Sequence, residues 1–195
     1  RRFEIVPAWE WEEREGIETD RIRIVMNPGL SFGTGEHFTT RFCLESLETL
    51  VVEGATPTML DLGTGSGILA IAAVKLGCVE ALGVDNDATA LERARENAEA
   101  NGVASTVRLD VADLTLGEVS GTYDLVCANL FDAMLIEHAV AIYALTRHHL
   151  VVTGIREIQL DAVAETYRML GAREWTRDGD GEWGGLILEK PVKDD

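Results

Sequence analysis

Three glycines at alternate positions, Gly63, Gly65 and Gly67, follow a short apolar run (residues 58–62) and precede a second apolar run that opens at Ile68. Glycine has no Cβ to hold a ligand away from the backbone, and it adopts positive φ in tight turns. A helix after such a loop offers unpaired N–H groups and the positive end of its dipole to an anionic group. The pattern is that of a strand–glycine loop–helix site for a small molecule. A dinucleotide fingerprint, G-x-G-x-x-G, places its third glycine at position 68. Ile68 stands there, so the spacing is G-x-G-x-G and a dehydrogenase is disfavoured. Asp85 closes the next apolar run, residues 81–84. A carboxylate at that strand end can accept hydrogen bonds from two ribose hydroxyls.

Other residues carry chemistry of their own. Asn129 ends the run 123–128 and can both donate and accept hydrogen bonds. The segment 27–40 is rich in glycine and threonine and precedes a helix of apolar period, Phe42, Leu44, Leu47 and Leu50. It can fold over a ligand, or it can be a turn plus an N-cap supplied by Thr39 or Thr40. His37 in that segment is a candidate general base, or a side chain that orders its own loop. Asp110 and Asp113 follow the strand predicted over 103–109. His138 stands alone on a helix, and His148 and His149 point opposite ways on a strand. Neither they nor Cys43, Cys78 and Cys127 show ligand spacing, so no metal site and no disulfide are expected.

These residues need an alternating frame of strands and helices. The periodicity predicts strands over 22–25, 58–62, 81–85, 103–109, 123–128 and 148–154, with helices opening at 68 and spanning 87–101, 133–146 and 157–170. Asp87 is a fitting N-cap, and Asn101-Gly102 and Gly171 are helix stops. Residues 173–177 and 183–188 read as an antiparallel pair joined by Asp178-Gly179-Asp180-Gly181. Gly63, Asp85 and Asn129 would then share the carboxyl-terminal rim of an open parallel sheet, where ligands bind. Residues 1–21 read as a linker or amino-terminal arm with a short edge strand at 3–7, residues 22–190 as one catalytic domain, and 191–195 as a tail. Trp9 and Trp11 either pack this arm on the domain or line an entrance.

The chain has 195 residues, 17 basic against 34 acidic, for a net charge of −17. That length suits one α/β domain. The acidic balance argues against a broad grip on nucleic acid and is compatible with a basic protein partner. No apolar run is long enough to span a bilayer, so no membrane association and a cytoplasmic location are expected.

The G-x-G-x-G loop resembles that of S-adenosylmethionine-dependent methyltransferases. The run N-P-G-L-S-F-G-T-G-E-H-F-T-T (27–40), followed by L-D-L-G-T-G-S-G-I-L-A-I-A-A-V-K-L-G (60–77), is similar to the ribosomal protein L11 methyltransferase family. Asn86-Asp87-Ala88, Ala128-Asn129-Leu130, Thr153-Gly154-Ile155 and Gly181-Glu182-Trp183 extend the likeness. The F-G-T-G-x-H-x-T-T element separates this family from other methyltransferases. The resemblance implies a Rossmann-like, seven-stranded, doubly wound α/β sheet, mostly parallel with an antiparallel last strand. It implies S-adenosyl-L-methionine as donor and S-adenosylhomocysteine as product. It also implies methyl transfer to lysine or N-terminal amines of a ribosomal protein. Family members carry an amino-terminal recognition domain, and this sequence begins near the linker that follows it.

The resemblance assigns roles by position. Gly63 and Gly65 lie against the donor's methionine part, and Asp85 holds its ribose. Asp113 meets the adenine amino group or is a solvated loop acid. Thr40 contacts the donor, and Phe32, Gly33, Thr34 and Gly35 cover it. Asn129 borders both donor and acceptor amine, which makes it the catalytic candidate. N-P-P-Y, frequent in amino-methylating DNA enzymes, is replaced by Asn129-Leu130-Phe131-Asp132, which disfavours a nucleobase acceptor. Two rivals remain: a methyltransferase of this fold acting on another protein or a small molecule, and a non-catalytic module that binds the donor.

Overall fold

A computed structural model describes residues 2–27, 37–52 and 54–191. In chain order it contains β1 (Phe3–Pro7), a 3-10 turn (Ala8–Glu10), α1 (Trp11–Arg14), β2 (Ile22–Met26), α2 (Phe38–Leu50), β3 (Thr58–Leu62), α3 (Ile68–Leu76), β4 (Glu80–Asp85), α4 (Ala88–Ala100), β5 (Val107–Val111), β6 (Tyr123–Asn129), α5 (Asp132–Glu137), α6 (Ala139–Leu145), β7 (Thr146–Arg156), α7 (Leu160–Met169), β8 (Arg173–Gly179) and β9 (Trp183–Glu189). Seven strands form one sheet in the order β5-β4-β3-β6-β7-β9-β8. All neighbours are parallel except β9, the last strand, which is inserted antiparallel between β7 and β8. The chain runs outward from β3 through β4 to β5, then returns to the other side of β3 as β6. That reversal is the switch point where open α/β sheets bind ligands.

The two faces of the central strands explain their unbroken apolar runs. Met59 of β3 and Leu125 and Cys127 of β6 face a core built with α2 and α3. Leu60, Leu62, Val126 and Ala128 face a second core built with α5, α6 and α7. A parallel sheet covered on both faces has no solvent side to carry polar residues. The three cysteines are buried and free. Among the described residues no helix is long and apolar enough to cross a membrane.

Outside that sheet, β1 pairs in parallel with β2, so the arm holds a strand where the sequence predicts one. Phe3 enters the core. Glu4 joins β1 to β2 by an ion pair to Arg23 (3.0 Å) and to α1 by one to Arg14 (2.8 Å). Trp9 is exposed.

Several predicted boundaries move, each for a local reason. The strand expected over 103–109 is Val107–Val111. Val103 instead closes a turn whose carbonyl accepts from the N–H groups of Thr106 and Val107. The helix expected over 133–146 is two helices meeting at His138, whose ψ of 16° leaves the helical region. Strand β7 starts at Thr146, ahead of the predicted 148, because Thr146 already pairs with Tyr123. The helix expected over 157–170 begins with a 3-10 turn at Glu157–Gln159. The N-cap of α2 is His37, whose ring accepts from the Thr39 N–H at 3.4 Å, and neither Thr39 nor Thr40 takes that place.

Candidate active site

A cavity of about 430 Å³ opens at the carboxyl ends of β3, β4 and β6. Pockets of a few hundred cubic ångströms are the usual size for small-molecule ligands. Gly63, Gly65, Asp85, Asp113, Asn129 and Thr40 all line it, so the structure brings these candidates together. Phe32, Gly33, Thr34 and Gly35 lie outside the described residues. Trp9 and Trp11 do not line it.

The glycine loop is held from within. Gly63 and Thr64 N–H groups both donate to the Val84 carbonyl at 2.9 Å, Gly65 N–H to the Asp85 carboxylate at 2.9 Å, and Gly67 N–H to Thr64 O at 2.9 Å. These four N–H groups belong to the loop and turn inward; the N–H groups expected to meet an anion belong to the first turn of α3. What the loop offers is bare Cα surface. Nothing lies within 4 Å of the place where a Gly65 Cβ would sit. All three glycines have positive φ, and a Cβ on Gly63 would strike Leu130 at 2.7 Å.

Asp85 is pinned through both oxygens. One accepts from Gly65 N–H at 2.9 Å, the other from Asp87 N–H at 3.0 Å. Each oxygen keeps a lone pair for a ligand hydroxyl. Asp113 caps the short turn Leu114–Leu116, accepting from the Thr115 N–H at 2.7 Å and the Thr115 hydroxyl at 2.6 Å. That hydroxyl, then the N–H, hold its carboxyl below the usual range.

Asn129 reaches the mouth of the cavity beside Thr39. Its Nδ2 lies 3.4 Å from Thr39 Oγ1, which is 2.9 Å from His37 Nδ1. The His37 ring meets Trp183 edge to face at 5.5 Å. The Glu182 and Trp183 N–H groups donate to Asp180, which orders this wall. Leu130, Phe131 and Met134 add apolar lining, and Phe131 is largely exposed at the rim.

Sequence reasoning missed Thr39, Leu130, Met134, Gly154 and Trp183 as lining residues. Gly154 had a legible signal, since a glycine inside an apolar strand marks a bulge or a close approach. Its φ is +82°, the β7–β9 register shifts there, and a Cβ would sit 2.5 Å from Leu130 O and 3.1 Å from Asn129 Oδ1. The absent side chain makes room for the turn that carries Asn129.

Beneath the loop lies Asp61, 1% exposed. One oxygen accepts from the Thr64 hydroxyl at 2.6 Å, and the other lacks a well-formed bond among the described residues. Burial pushes this carboxyl up to about 7, against the pull of Thr64 and of the Ala70 N–H, with a small push from Asp85. The folded state therefore holds a proton that the unfolded chain releases near the ordinary value of 3.8. Stability from this group is present below about pH 4 and is lost as pH rises through about 7. Asp61→Asn removes the titration and keeps an acceptor for Thr64. Its melting temperature relative to the parent is expected to climb between pH 4 and 7, a gain on the order of a few kcal/mol at the upper end. Melts at both pH values read it directly.

Comparison with known proteins follows the same lines. The family model described as ribosomal protein L11 methyltransferase matches residues 1–191. The ribosomal protein L11 methyltransferase of Myxococcus xanthus is 37% identical over 189 residues, covering 97% of this chain and 64% of its own length. The chain spans 55–64% of the length of the curated relatives it matches. The crystal structure of a ribosomal protein L11 methylase from Lactobacillus delbrueckii subsp. bulgaricus superposes with a TM-score of 0.86 at 31% identity, covering 98% of this chain and 96% of that one. An RNA methyltransferase of Salinibacter ruber, solved with S-adenosyl-L-homocysteine, shares the fold at 17% identity and a TM-score of 0.60, over 78% of this chain and 92% of its own.

Proposed function

The chain belongs to the ribosomal protein L11 methyltransferase family, and from that premise we propose that it transfers methyl groups from S-adenosyl-L-methionine to lysine and N-terminal amines of a protein, a ribosomal protein foremost. One observation carries the reading. Residues from three adjacent strands, Gly63 after β3, Asp85 of β4 and Asn129 of β6, line a single cavity at the switch point.

The donor, when bound, supplies a methyl group already activated on a sulfonium centre. The chain's own residues position and desolvate. The bare Cα surface of Gly65 and the inward-turned loop accept the donor's amino-acid end at close range. Asp85 offers its spare lone pairs to the ribose, and Asp113 sits at the adenine end. Thr40, 4% exposed on the first turn of α2, borders the same space. An acceptor lysine has an ordinary pKa of about 10.4 and must shed its proton to attack. The apolar wall of Leu130, Phe131 and Met134 disfavours the charged form. The Asn129 carboxamide oxygen accepts a hydrogen bond from the neutral amine and aims its lone pair. The net charge of −17 favours a basic protein acceptor over nucleic acid. The cytoplasm, where ribosomal proteins are made, is the proposed place of action.

Incubation with labelled S-adenosyl-L-methionine and purified ribosomal protein L11, beside a panel of small-molecule amines, tests this. Label is expected on lysine and N-terminal amines of the protein. Label on small amines alone overturns the acceptor, and donor uptake with no labelling of any acceptor overturns catalysis.

A further inference from the structure

Helix α4 backs the glycine loop and carries Asn97; Asn101, one turn on, is its C-cap. Both grip the end of β2, by different bonds. Asn101 accepts from the Val25 N–H at 2.9 Å and donates to the Val25 carbonyl at 2.6 Å, as a neighbouring strand would. Asn97 accepts from the Asn27 N–H at 2.8 Å, but its Nδ2 turns the other way and donates to the Ser66 carbonyl at 2.9 Å. Ser66 is the residue between Gly65 and Gly67. Asn97 is 1% exposed, so neither bond is replaced by water when lost. Contact on this side is already tight, since a Cβ on Gly67 would lie 3.1 Å from Ala94 Cβ. The Ser66 hydroxyl is buried with no partner among the described residues, so nothing else on that side chain holds the loop.

We propose that Asn97 is a positioning residue for the donor pocket: its amide ties the Ser66 carbonyl to the chain leaving β2 and thereby sets the Gly65 surface against which the donor lies. This rests on reading the glycine loop as the donor site. Asn101 fastens β2 and also donates to the Asn97 carbonyl at 2.8 Å, but makes no bond to the loop, which provides an internal control.

The test uses calorimetric binding of S-adenosylhomocysteine to the parent, Asn97→Asp and Asn101→Ala, with melts of all three. An ionised aspartate still accepts from Asn27 but repels the Ser66 carbonyl. A protonated one donates to it and restores both bonds, and burial raises its pKa into reach. Asn97→Asp is therefore expected to bind about tenfold or more weakly than the parent at pH 8 and to recover at pH 5.5. Asp61 titrates in the same range, so each variant is compared with the parent at the same pH. Asn101→Ala is expected to melt lower and to keep its affinity. Parent-like affinity of Asn97→Asp at pH 8, a loss that does not recover in acid, or an equal loss in Asn101→Ala overturns the proposal. Should Asn97→Asp fail to fold, the side-chain amide resonances of Asn97 in the parent decide: they are expected to shift when S-adenosylhomocysteine binds, and unmoved resonances overturn the role. A parent that takes up none of this compound defeats the donor-site reading itself, and the positioning role with it.

Discussion

Asp85→Ala is expected to weaken S-adenosylhomocysteine binding by on the order of 100-fold, while the chain still folds. The carboxylate does two jobs in one place. It fixes the glycine loop through the Gly65 N–H and the turn into α4 through the Asp87 N–H, and it faces the cavity with lone pairs to spare. Charge-assisted hydrogen bonds contribute roughly 1.5–3 kcal/mol each, so losing two ligand bonds alone reaches that factor. Asp85→Asn retains one acceptor oxygen and cannot serve both N–H groups, so an intermediate loss is expected. Calorimetry on the three proteins checks the series. Parent-like affinity in Asp85→Ala would remove the ribose site from the proposal.

Asn129→Ala is expected to lower kcat by roughly 100- to 1,000-fold, the scale found when one pre-positioned hydrogen-bonding group is deleted from an active site. Donor affinity should change little, because the glycine loop and Asp85 are untouched. Asn129 stands where a substitution perturbs little else: among the described residues its side chain makes one hydrogen bond, the long one to Thr39, and Gly154 already keeps the space around it clear. Single-turnover rates beside donor binding separate the two effects. A kcat unchanged in the variant would show that the carboxamide plays no part in orienting the amine.

The sheet was legible because its central strands are buried on both faces and read as short apolar runs with glycine, aspartate or asparagine at their ends. β3 begins and ends at the predicted residues, and Asp87 caps α4 as its type and place imply, accepting from the Thr89 N–H at 2.8 Å. What went astray lies at element ends. Val103 looks like strand but closes a turn, and His138 interrupts a helix whose apolar period runs through it. The pocket was legible in outline, because Gly63, Asp85 and Asn129 each end a strand and strand ends share a rim. Partners brought in by tertiary contact were not. No spacing rule links Asn97 to Ser66, 31 residues apart, or Trp183 to His37. Nor does G-x-G-x-G disclose that four of the loop's N–H groups are spent on the loop's own support.

The insertion of β9 between β7 and β8 has a consequence for how the chain folds as it is made. On a nascent chain β8 emerges before the strand that separates it from β7, and it has no ladder partner until residues 183–189 follow. Those same residues bring Trp183 to the cavity wall. A chain cut between the two strands would leave β7 with an open edge, a template for aggregation. The wall that bears Trp183 would be missing as well. Completion of the sheet and completion of the pocket are thus one late event, and a truncated product carries neither.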